Sequence, residues 1–163
     1  MKNTIQKGIN KLTRFSFGST SAIITNLALI IGLDAVSNAK LSIIGSLLMI
    51  GIADNISDTL GIHIYQESEG LKQKQVWIST ITNFFSRLLI SLGFVAIIIF
   101  LPLSIGIFVS VAYGLIILSI ISYIVAINKK IDPWHSIIEH LVIAIVVIFV
   151  SKLFGKLIFN LFS

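Results

Sequence analysis

The chain has 163 residues, of which 56% are hydrophobic and only 12% charged, and its mean hydropathy is +1.01. That balance is far more apolar than a soluble domain carries, and the absence of cysteine excludes structural disulfides, thiolate zinc sites and thiol catalysis. The net charge of +5 comes from short Lys/Arg clusters beside apolar runs, which read as topology signals and not as a nucleic-acid surface.

In chain order, residues 1–15 form a basic lead-in with Lys2, Lys7, Lys11 and Arg14. Ile5, Ile9 and Leu12 are at helical spacing, which suits a segment lying along the membrane surface. No small-residue cleavage site follows, so the next apolar run is expected to be a retained span and not a signal peptide. Five spans are expected, at about 17–33, 40–66, 76–101, 103–127 and 133–159. The first is short, Pro102 marks a tight hairpin between the third and fourth, and Asp132 before Pro133 reads as a helix N-cap. Basic residues mark the lead-in, Lys72–Lys74 and Lys129–Lys130, while the turns at Asp34–Lys40 and Pro102 carry almost none. The positive-inside rule therefore places the N-terminus in the cytoplasm and, with five spans, the C-terminus outside. The expectation is one all-α domain, a bundle of five transmembrane helices in the plasma membrane of a prokaryote.

The second span carries carboxylates where lipid should forbid them. At roughly 100° per residue, Asp54, Asp58, Gly61, Tyr65 and Glu69 share one stripe about 60–80° wide. An ionisable group at membrane depth costs about 2.5–3.5 kcal/mol even on insertion scales, so such groups face a bundle interior, a cavity or a partner charge. Two answers stand open: an internal ion pair with an Arg on a neighbouring helix, or a bound cation. Arg87 lies mid-span in the third helix with Thr80, Asn83 and Ser91 near its face, and it is expected to pair with one carboxylate or with Glu69, the remaining acid being protonated or binding a cation. In the first span, Asn26 asks for a partner at mid-depth and is expected to face the second helix. His63 with Glu67, and Glu139 with His140, could each give a metal two ligands, but without a third convergent pair the favoured reading of both is interfacial residues facing headgroups or water. Gly45 and Gly51, with Ser42, Ser46 and Ser57, allow close helix approach. No GxSxG, HExxH, P-loop or dinucleotide fingerprint occurs, so nothing points to an enzyme or a resident cofactor.

Phe17-Gly18-Ser19-Thr20-Ser21-Ala22-Ile23 and Ala53-Asp54-Asn55-Ile56-Ser57-Asp58-Thr59-Leu60-Gly61 resemble the first- and second-helix motifs of the vacuolar iron transporter (VIT) family. The resemblance covers Phe15 to about Phe159 and extends to the five-span plan and the Leu101-Pro102-Leu103 hairpin. It implies a homodimer that exports Fe²⁺ or Mn²⁺ from the cytosol in exchange for protons, along a path lined by the first two helices. The departures are specific. Ser21 stands where the family has a pore aspartate, Asp58 where it has a methionine ligand, and Ile50 where it has a glutamate, while the long Glu-rich cytoplasmic insert is reduced to Glu67 and Glu69. The expected metal-facing set is Asp54, Asp58, Asn26, Asn55, Glu67 and Glu69, with Arg87 as a structural or gating ion pair. Oxygen ligands without a thioether favour hard ions such as Mn²⁺, Mg²⁺ or Fe²⁺. The alternatives are a structural or accessory membrane protein with a static Asp/Arg network, and a proton-coupled carrier of another solute.

Overall fold

The computed structural model describes residues 18–162, so the basic lead-in expected at residues 1–15 lies outside them. They form five helices: α1 (Gly18–Gly32), α2 (Ala39–Ser68), α3 (Gln73–Phe100), α4 (Leu103–Lys129) and α5 (Pro133–Phe162). Four of these, α2 to α5, are long and apolar enough to cross a membrane, each having 27–30 residues. At 1.5 Å per residue that is about 40–45 Å, against a hydrocarbon core of about 30 Å. α1 is shorter. Its fifteen described residues reach about 22 Å, so the expected bundle of five spans is met as five helices of which four have spanning length.

The expected boundaries hold to within three residues. The Leu101–Pro102 hairpin is as tight as expected, because Pro102 cannot continue α3 and starts α4 instead. Asp132 is the N-cap of α5: its Oδ1 accepts from Trp134 N–H at 3.1 Å, with Pro133 in the first helical position. The charged loop after α2 is shorter than the expected Glu67–Gln75, because α2 runs on through Ser68 and Lys74 already lies in α3. Gly70 ends α2 at φ +67°, with Leu71 N–H on Gln66 O and Gly70 N–H on Glu67 O, the paired bonds of a Schellman motif. Lys130 takes the same left-handed conformation after α4, through Ile131 N–H on Ala126 O and Lys130 N–H on Ile127 O.

α1 is the centre of the bundle and touches all four longer helices. Ile23, Leu27 and Ile30 are fully enclosed, and they join Ile43 and Leu47 of α2, Phe94 and Ile98 of α3, and Leu118 of α4 in one core. Glycines set two of the contacts. A Cβ on Gly18 would fall 1.9 Å from Asn83 Oδ1, and one on Gly155 would fall 2.1 Å from the backbone oxygen of Gly32. α2 and α3 form an antiparallel pair locked at one end by Lys40, whose Nζ donates to Ile99 O at 3.1 Å and Leu101 O at 3.0 Å and so caps the carbonyl end of α3. Several hydroxyls satisfy themselves along their own helix, as Ser119 does on Leu115 O and Ser122 on Leu118 O. α5 is the most exposed helix, its apolar side chains covering the outside as lipid-facing residues do.

Candidate functional site

The polar residues of α1, α2 and α3 meet at mid-height of α2 and α3, beside Gly18 to Ser21 of α1. Arg87 is 2% exposed, and its Nη2 lies 2.6 Å from Asp54 Oδ2 while its Nη1 lies 2.5 Å from Asp58 Oδ2. A guanidinium carries two terminal nitrogens, so one side chain can approach two acids one helical turn apart. Arg87 holds a carboxylate of α2 as expected, hydrogen-bonding Asp54, but it also lies within ion-pair distance of Asp58, and Glu69 is not its partner. Ser21 of α1 adds a third contact, its Oγ donating to Asp58 Oδ2 at 3.2 Å.

Charge and exposure set this cluster apart from an inert core pair. Two carboxylates face one guanidinium, so with both acids ionised one negative charge is left over. The two Asp side chains keep 38% and 35% of their surface while Arg87 keeps 3%. The arginine is enclosed and the acids look outward. Ala53, Ser57 and Gly61, small residues on the neighbouring edge of α2, are exposed beside them, and nothing lies within 4 Å of where a Gly61 Cβ would be. Among the described residues, Ser19 Oγ, Asn83 Oδ1, Arg87 Nε and Arg87 Nη1 are buried here without a hydrogen-bond partner, so Nη1 meets Asp58 by charge and proximity and not in hydrogen-bond geometry.

The other expected site residues divide among separate places. Asn26 faces α3 and not α2 as expected: its Nδ2 donates to Ser91 Oγ at 2.9 Å, and its Oδ1 has no partner among the described residues. The reason is the central position of α1, which gives it two polar neighbours where the sequence suggested one. Asn55 also turns to α3, donating to Phe84 O at 2.9 Å and accepting from Thr59 Oγ1 at 3.3 Å, and Thr59 in turn accepts from Asn83 Nδ2. Its amide is committed between the helices and does not join the carboxylates. Glu67 lies nine residues beyond Asp58, about 13 Å along the helix, where its Oε1 accepts from Gln73 Nε2 at 2.7 Å and sits 3.4 Å from His63 Nε2. Glu69 is the exposed C-cap of α2. Among the described residues no three His, Asp or Glu side chains converge.

Ser21 and Thr59 belong to the polar centre and were not expected there, whereas Asn83 lies on the Arg87 face as the sequence placed it. The signal of the two hydroxyls was weak, since a hydroxyl in an apolar helix satisfies its own backbone as readily as a neighbour. No family model, curated protein or solved structure matches the chain.

Proposed function

We propose that the chain is an integral membrane carrier of a divalent metal ion, iron or manganese, working as a homodimer and exporting the ion from the cytosol in exchange for protons. The observation that carries this reading is the Asp54–Arg87–Asp58 cluster, in which two outward-looking carboxylates share one enclosed guanidinium at mid-span. The surplus negative charge is expensive at that depth unless a mobile cation offsets it. In the empty carrier Arg87 serves as counter-ion. A divalent ion arriving on the exposed side takes the free carboxylate oxygens and loosens the hold of Arg87.

The exposed Ala53, Ser57 and Gly61 support a second copy packing along α2, which would bring two such clusters face to face. The VIT-like motifs support the same reading, with Ser21 acting as a donor to Asp58 where that family places a carboxylate. The membrane is taken to be the plasma membrane of a prokaryote, with the N-terminus cytoplasmic because the basic residues of the α2–α3 and α4–α5 turns share one side.

The second reading, a structural or accessory protein with a static network, is favoured by the near-complete burial of Arg87 and its engagement of both acids. Reconstitution separates the two. Proteoliposomes holding the chain should take up radiolabelled Mn²⁺ or Fe²⁺ under an imposed proton gradient, and a rate equal to that of empty vesicles favours the static network.

A further inference from the structure

The far end of α2 holds a second polar group, distinct from the Arg87 cluster. Thr80 Oγ1 donates to Val76 O at 2.9 Å, which leaves its oxygen to accept from His63 Nδ1–H at 2.8 Å. Neutral His63 then carries its proton on Nδ1 and presents the Nε2 lone pair to Glu67 Oε1, one turn on, at 3.4 Å. Two acceptors facing each other repel unless a cation lies between them. A proton on Nε2 would make this a long ion pair, since N–H···O bonds fall at about 2.7–3.2 Å. An ion bound tetrahedrally at about 2.0–2.2 Å from each atom holds nitrogen and oxygen roughly 3.3–3.5 Å apart.

The surroundings fit an ion too. Thr80 fixes the tautomer and ring plane, as the outer partner of a metal-binding histidine does. Trp77 meets the His63 ring edge-on, with centroids 4.8 Å apart, and Gln73 holds Glu67 in place at 2.7 Å. The Glu67 side chain is 41% exposed and lies beyond the roughly 20 residues that α2 needs to cross the bilayer, so water can fill the remaining coordination positions.

We propose that His63 Nε2 and a Glu67 carboxylate oxygen bind one divalent transition-metal ion at the polar end of α2, with water completing its shell. Imidazole with carboxylate suits Zn²⁺, Co²⁺, Fe²⁺ or Mn²⁺ and not Ca²⁺. Metal and proton compete for the same lone pair, so binding to the imidazolium form sends that proton to bulk water. The site would give the carrier a loading position on the Asp58 side of α2, but ion binding here requires no flux and stands apart from the transport reading.

The probe is Co²⁺ added to the full-length protein in detergent, with Trp134→Phe leaving Trp77 as the only tryptophan. Co²⁺ should quench Trp77 saturably and more weakly as the pH falls. His63→Gln and Glu67→Gln should each weaken binding tenfold or more, and Thr80→Val by a smaller factor. Saturation unchanged in His63→Gln and Glu67→Gln, or no saturable quenching in the parent, overturns the site and fits a neutral His63 donating Nε2–H to Glu67. Intact Co²⁺ quenching without metal flux would remove the transport reading alone.

Discussion

Arg87 Nη2 lies 2.6 Å from Asp54 Oδ2 on the neighbouring helix, and its Nη1 reaches Asp58, so one cation ties two turns of α2 to the middle of α3. Removing a partner from a buried pair costs about 3–5 kcal/mol. These acids keep a third of their surface and can rehydrate, so Arg87→Ala should cost less, about 2–3 kcal/mol. Arg87→Lys should cost less still. Thermal unfolding in detergent should show Arg87→Ala partly rescued by Asp54→Asn or by Asp58→Asn, and rescued further by both together. Absence of rescue in all three backgrounds would contradict the bridge.

Glycine contacts give a second prediction. Gly155→Ala pushes a Cβ into the backbone oxygen of Gly32, which cannot swing away as a side chain could, and should destabilise by about 1–3 kcal/mol. Gly45→Ala meets nothing within 4 Å and should be neutral or stabilise by up to about 1 kcal/mol through helix propensity. Equal melting temperatures for the two variants would mean that α1 and α5 do not approach as described.

Periodicity made the faces of the helices legible but not their neighbours. Asp54, Asp58 and Arg87 stood out because charge in an apolar run has few explanations, and Asp132–Pro133 and Pro102 because they fix backbone geometry locally. The partner of Asn26 was not legible: a short α1 enclosed by four longer helices follows from their packing, which no single stretch of residues encodes. The bridging of both acids likewise depends on the height at which α3 passes α2. Helix ends drifted by up to three residues, because the terminal turns of α2 and α3 leave the apolar run and are closed by hydrogen bonds such as Gly70 to Glu67.

Topology can be read without background labelling, since the chain has no cysteine. Lys72→Cys and Lys130→Cys should react with an impermeant maleimide from one side of the membrane, and Asp34→Cys and Pro102→Cys from the other. Reaction of Lys72→Cys and Pro102→Cys from the same side would break the hairpin arrangement of α3.

If two copies meet along the small residues of α2, Ser57→Cys should form a disulfide-linked dimer in the membrane under oxidising conditions. Leu48→Cys, well round the helix from Ser57, should not. Cross-linking at Leu48 and not at Ser57 would place the contact on another face and leave the carboxylates of Asp54 and Asp58 without a facing pair.

Metal flux in proteoliposomes is the most direct test of the Asp54–Arg87–Asp58 cluster as the ion-carrying element. Asp54→Asn and Asp58→Asn, each shown to fold by gel filtration and melting, should lose Mn²⁺ or Fe²⁺ transport by at least tenfold and lose the accompanying proton movement with it. Wild-type flux in both folded variants would contradict the account and leave the cluster as internal structure.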